Sequence, residues 1–121
     1  MKVILDANFA VSCVKRRIDF LDELESLGLI AVVPREVIQE LKDLKLKVAH
    51  DTRMDVEVAL TQLESKRVKR ISLGSKKVDE GLIAKGKEGV YIATLDSTVK
   101  RAVPNRVVIS GAKNSLIIDR D

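Results

Sequence analysis

Val3-Ile4-Leu5-Asp6-Ala7-Asn8 sets a carboxylate directly behind three consecutive apolar residues. The run reads as a strand buried on both faces, and Asp6 falls where that strand ends. The same arrangement returns at Tyr91-Ile92-Ala93-Thr94-Leu95-Asp96. If both strands belong to one parallel sheet, both acids project from its carboxyl edge, where open α/β sheets bind their ligands. Two more acidic positions border apolar runs: Glu40 within Val37-Ile38-Gln39-Glu40-Leu41, and the pair Asp79-Glu80 beside Leu82-Ile83-Ala84.

Outward from these stretches, short apolar runs alternate with helical periodicities, the pattern of a parallel sheet wrapped by helices. The spacing predicts a helix over 8–14 and a second over 17–27, with Ile18, Leu21, Leu24 and Leu27 inward and Gly28 as its stop. A strand over 29–33 ends at Pro34, which suits the first turn of a helix because its missing donor is not needed there. That helix carries Val37, Ile38, Leu41 and Leu44 on its apolar face, Glu40 at the edge of the face, and Glu36 where negative charge favours a helix start. Further helices are expected over 51–65, 77–85 and 97–103, and strands over 68–73, 90–95 and 106–110. Gly74-Ser75 breaks the chain, Pro104-Asn105 forms a turn, and 116–118 adds a last edge strand. The expected architecture is a three-layer α/β/α arrangement with a central, mostly parallel sheet, spanning 1–121 as one domain.

A chain of 121 residues with 45% hydrophobic content is enough for one continuous core, hence one active centre. Its net charge of +4 and pI of about 9.3 suit an acidic polymer such as nucleic acid. The one cysteine, Cys13, has no partner within the chain and sits among Val11, Ser12 and Val14 as a small core residue. A lone histidine, His50, excludes a His-rich zinc site, so oxygen ligands remain. The start runs straight into a strand pattern without a signal peptide, and no apolar run reaches membrane-spanning length, so a cytoplasmic location and no membrane partner are expected.

Gathered acids carry a cost. Two unit charges about 4 Å apart repel by roughly 4 kcal/mol at an effective dielectric of 20, against a total domain stability of only about 5 to 15 kcal/mol. Bound protons or a bound cation must offset it. Mg²⁺ or Mn²⁺ takes carboxylates and water and leaves positions open for a phosphate, where it activates water for in-line attack on phosphorus. Each acid alone has a plainer role. Asp6 and Asp96 suit the caps of the helices that follow, Glu40 a solvated helix position, and Asp79-Glu80 a first turn favoured by the helix dipole. A phosphohydrolase with Asp6 as nucleophile usually wants a second acid two residues on, where Asn8 stands instead.

Taken together, these motifs resemble the PIN-domain ribonucleases. Asp6-Ala7-Asn8 is similar to that family's opening Asp-x-Asn motif, and Pro34-x-x-Val37-x-x-Glu40-Leu41 to its helical Glu motif. Asp79-Glu80-Gly81-Leu82-Ile83-Ala84 looks like the third acidic motif, and Ala93-Thr94-Leu95-Asp96 like the closing Thr-x-Asp. The resemblance covers nearly the whole chain. It implies an endoribonuclease cutting single-stranded RNA with Mg²⁺ or Mn²⁺, with Asp6, Glu40 and Asp96 as metal ligands and catalytic acids. Asp79 or Glu80 would complete the set, and Asn8 and Thr94 would orient ligands or water. The third motif departs from the family pattern: Glu80 has the spacing of the core acid, Asp79 its side chain, and Gly81 weakens the helix by about 1 kcal/mol relative to Ala.

The stretch from Tyr91 to Arg101 and Asn114-Ser115-Leu116-Ile117-Ile118 look most like the branch that processes ribosomal RNA, while toxin nucleases share the core motifs. Ribosome-assembly proteins, an antitoxin and a second copy in a homodimer are the partners this resemblance brings into view. A module that binds RNA or protein without cutting is the alternative suggested by the departure at 79–81. For RNA, two basic clusters are candidate phosphate contacts: Lys15, Arg16 and Arg17, and Lys66, Arg67, Lys69 and Arg70. Aromatic content of 2% leaves little for base stacking, so sequence selectivity would come from partners or substrate shape.

Overall fold

The apolar runs become the inner strands of a six-stranded sheet. The computed structural model describes residues 1–121 in the order β1 (Lys2–Leu5), α1 (Ala7–Lys15), α2 (Phe20–Ser26), β2 (Ile30–Pro34), α3 (Arg35–Lys45), α4 (His50–Leu63), β3 (Lys69–Ile71), α5 (Val78–Lys87), β4 (Tyr91–Ala93), α6 (Ser97–Ala102), β5 (Asn105–Ser110) and β6 (Ser115–Arg120). In space the strands run β3-β2-β1-β4-β5-β6, all parallel except the antiparallel hairpin partner β6. The chain steps one way from β1 to β3, then returns to lay β4 against the other side of β1. A crevice therefore opens outside the carboxyl ends of β1 and β4, the switch point at which such sheets hold ligands.

Because side chains alternate across a strand, each inner strand feeds two layers. Val3, Leu5, Ala31, Val33, Tyr91 and Ala93 enter a cluster of 26 buried residues beneath α1 to α4. Ile4, Val32 and Ile92 point the other way, into a cluster of 6 with Leu82 of α5, Val99 of α6 and Val103 at the end of α6. This is the three-layer α/β/α arrangement, with one layer much thicker than the other. Cys13 is fully buried in the thicker layer, where burial pushes its thiol up to about 12. No helix is long and apolar enough to cross a membrane.

Several boundaries differ from expectation for local reasons. Pro34 closes β2 and stands as the N-cap of α3, one residue before the first turn. The helix expected from Arg17 begins at Phe20, because Arg17 turns left-handed (φ 57°) and Asp19 caps the new start by accepting from the Asp22 amide at 3.2 Å. β4 stops at Ala93, so Thr94 and Asp96 occupy the loop above it. Asn105 begins β5, and β6 extends to Arg120. Arg106 ties that hairpin together, reaching Asp119 at 3.0 Å and Asp121 at 2.8 Å.

Candidate active site

The end of β1 buries a carboxylate. Asp6 is 7% exposed and registers beside the end of β4, where its backbone amide donates to the Ala93 carbonyl at 3.0 Å. Its Oδ1 accepts from the Ala7 amide at 2.9 Å, so Asp6 does cap α1. Its Oδ2 accepts from the buried Thr94 hydroxyl at 2.7 Å. Burial raises its carboxyl above the ordinary value; the bonds from Thr94 and Ala7 lower it, and the charges of Asp79 and Asp96 raise it again.

Thr94 links this acid to the next. Its Oγ1 accepts from the Asp96 amide at 3.1 Å while donating to Asp6. Asp96 also caps its own helix, but its Oδ1 takes both bonds, from Thr98 and Val99 at 2.8 and 3.1 Å. Its other oxygen accepts no hydrogen bond, so capping does not occupy it.

Glu40 stands at an exposed position in the second turn of α3. Desolvation raises its carboxyl, and so do the charges of Asp6 and Asp79. The acid of the third motif that acts on both Asp6 and Glu40 is thus Asp79. Glu80 instead faces Lys77, with 3.9 Å between charged atoms. Four elements bring four carboxylates to one edge of the sheet, Asp6 ahead of α1, Glu40 on α3, Asp79 on α5 and Asp96 ahead of α6, with Asp79 and Asp96 acting on Asp6 and Asp6 and Asp79 acting on Glu40. No three of them close on a common point as a finished metal cage.

A family model described as a PIN like domain matches residues 3–110. The chain belongs to this family. Among solved structures, that of the PIN domain endonuclease Utp24 matches with a TM-score of 0.79 at 20% identity, over 99% of this chain and 92% of that one. At that identity the likeness speaks for the fold. No curated protein matches the chain. In this PIN-like chain the residues suit a hard divalent cation: the oxygens offered are carboxylates, and burial, with the neighbouring acids, raises two of them.

The basic residues divide by chain direction. Lys66 and Arg67 precede β3, so they lie toward the amino edge of the sheet, away from the acids; Arg67 is also held by Asp22 at 2.7 Å and Glu25 at 3.2 Å. Arg16 and Arg17 follow α1 at its far end, where the Arg16 carbonyl accepts from Asn114. Lys69 and Arg70 lie in β3, the latter paired to Glu64 at 3.2 Å. Lys15 is different. With Asn8, Val11, Ser12, Leu95 and Asp96 it lines an open groove of about 400 Å³ that begins at the acids.

A second groove of about 340 Å³ brings Arg70 together with Arg35, Gln39 and Lys42 of α3. Sequence reading passed over Arg35 and Lys42, although Arg35 follows β2 directly and was bound to lie at the carboxyl edge. It also passed over Glu36 as a helix-start acid. In the fold, Glu36 accepts from the Leu73 amide at 3.1 and 3.2 Å and from the Ser72 hydroxyl at 3.3 Å. Burial raises the Glu36 carboxyl, but these bonds outweigh it and hold the group below its usual range.

Proposed function

We infer that this PIN-like protein is a divalent-metal-dependent endoribonuclease acting on single-stranded RNA. The observation that carries the reading is the convergence of Asp6, Glu40, Asp79 and Asp96, from four separate elements, at the switch point of the sheet. Holding such acids together costs a fold of this size stability, and a bound cation offsets that cost where protons, near neutral pH, do so less.

Asp6, Glu40, Asp79 and Asp96 would hold Mg²⁺ or Mn²⁺, which when bound polarises a phosphoryl oxygen and acidifies water. Around it the chain's own groups have separate tasks. Thr94 fixes Asp6 through the bond to Oδ2, so that carboxylate enters the reaction already oriented. Asn8, exposed at the start of α1 and beside Asp96, is free to orient water or a phosphate oxygen. Lys15 on one side and Arg35, Lys42 and Arg70 on the other would bind the phosphates flanking the cut. Glu80 takes no part in this assignment, because its charge is turned to Lys77.

The non-cutting alternative rested on the departure at 79–81. Asp79 supplies the acid there, and Gly81 has a packing reason: a Cβ at that position would lie 2.9 Å from Leu73 Cβ. The pathway we propose is ribosomal RNA processing, following the resemblance in the 91–101 stretch; an antitoxin encoded beside this chain would overturn that part. The activity itself is tested by cleavage of labelled single-stranded RNA with Mn²⁺ by wild type and by Asp6→Asn. Cutting by wild type alone is expected, and equal cutting by both overturns the assignment.

A further inference from the structure

Leu82 and Gly86 seat the body of α5 on the sheet, but the first turn, which carries Asp79, has no side-chain cap. α5 has Lys77 as its N-cap with no side-chain bond to the first turn. The connection from β3 runs through Ser72, Leu73, Gly74, Ser75, Lys76 and Lys77, and turns left-handed at Gly74 (φ 67°). Ser75 closes only a local turn, accepting from the Lys77 amide at 3.3 Å and donating to the Lys77 carbonyl at 3.0 Å. Leu73 packs on the smaller cluster, and the side chain that hydrogen-bonds the connection to α3 is Glu36. Its two oxygens both accept from the Leu73 amide and one also accepts from Ser72, in a two-pronged grip across 37 residues of sequence.

The gripped residue bears on α5 itself. The side chain of Leu73 lies over Gly81, where an added Cβ would come within 2.9 Å of Leu73 Cβ and 3.0 Å of its Cδ1. Gly81 is two residues beyond Asp79, in the same first turns of the helix. At the other end, Glu36 lies one helical turn before Glu40 on α3. One helix thus carries an acid of the site and, four residues earlier, the group that holds the neighbouring loop.

We propose that Glu36 is a positioning residue: by gripping the Leu73 backbone it seats Leu73 on Gly81, sets the start of α5, and so delivers Asp79 opposite Glu40. This rests on the metal-binding reading above. Glu36 does not itself touch the cation; it acts through Leu73 and Asp79.

The test is calorimetric titration of the full chain with Mn²⁺, comparing wild type, Glu36→Ala, Asp79→Asn and the double variant, with amide hydrogen exchange recorded on each. Glu36→Ala should weaken Mn²⁺ binding about tenfold or more, the range for outer partners of metal ligands. In the Asp79→Asn background it should add nothing further, because its route to the site is gone. Glu36→Gln keeps one oxygen for the Leu73 amide and should recover part of the affinity. Unchanged binding in Glu36→Ala, or a loss of equal size in both backgrounds, overturns the proposal. If wild type binds no Mn²⁺, the metal reading fails, and exchange alone decides the grip. Faster exchange confined to 72–81 in Glu36→Ala supports it, whereas unchanged exchange there, or a rise across the whole sheet, overturns it. The same exchange criterion holds if Asp79→Asn binds too weakly to titrate.

Discussion

The Thr94 hydroxyl donates to Asp6 Oδ2 at 2.7 Å across the crevice between β1 and β4, and it is the one side-chain donor that reaches this buried carboxylate. It lowers the Asp6 carboxyl against the larger upward effect of burial. Thr94→Val keeps the shape and removes the donor, so Asp6 should hold its proton to higher pH. The acid limb of the cleavage profile should therefore move up in Thr94→Val and stay in place in Thr94→Ser. Stability should fall by about 1 to 3 kcal/mol at neutral pH, the cost of an unpaired buried polar group, as read by urea denaturation.

Raised carboxyls also fix a sign for the cation-free protein. Asp6 and Glu40 bind protons more readily folded than unfolded, so stability falls as pH rises from their ordinary values of 3.8 and 4.5 through the raised ones. Above that window the penalty is fully in place. Asp6→Asn removes its share of that titration and should flatten the fall of stability across the window while abolishing cleavage. Denaturation midpoints over a pH series check this; a slope unchanged from wild type would count against a raised carboxyl at Asp6.

On the proposed metal reading, Mn²⁺ should compete with those same protons. At a hundredfold excess over its dissociation constant it should stabilise wild type by about 2.7 kcal/mol. The gain should shrink as pH falls toward the carboxyl values of Asp6 and Glu40, and vanish in Asp96→Asn. Thermal unfolding with Mn²⁺ and with chelator, over a pH series, measures it.

RNA affinity should distinguish the two ends of the sheet. Lys15→Ala should weaken binding of single-stranded RNA and reduce the slope of log affinity against log salt by about 0.7, the single-strand value for one phosphate contact. Lys66→Ala, at the amino edge, should leave both unchanged. Equal losses from the two substitutions would remove the directional assignment of the grooves.

Gly86→Ala sets helix propensity against packing. In isolation the change favours a helix by about 1 kcal/mol. Here the new methyl would meet Val103, whose Cβ is 2.7 Å from the built position, and Ile92, at 3.2 Å. Overpacking should win by about 1 to 3 kcal/mol, visible as a lower melting temperature.

The sheet was legible in the sequence because its inner strands are apolar on both faces and each is followed by a break or an acid. Asp6 and Asp96 were legible for the same reason, since a parallel strand sends its end to a known edge. Asp79 and Glu80 were not separable, because adjacent helix residues point about 100° apart and the helix phase is set by how Leu82 and Leu73 pack. Chain direction separates the basic residues: Lys66 and Arg67 precede a parallel strand, whereas Arg35 follows one. Glu36 left no local trace, because its partner is the backbone of Leu73 and a backbone amide has no sequence signature.

The unequal layers give the acids unequal footing. Asp6 and Glu40 belong with α1 and α3 on the thick slab, whose 26 buried residues should make it the slower-exchanging body of the fold. Asp79 and Asp96 begin helices of the thin slab, seated on only 6. A cation shared among all four would be a rivet through the seam between a stiff half and a soft one, and its loss would let the soft half breathe first. Loading and release would then be governed by the local opening of α5 and α6, with the body of the sheet left standing.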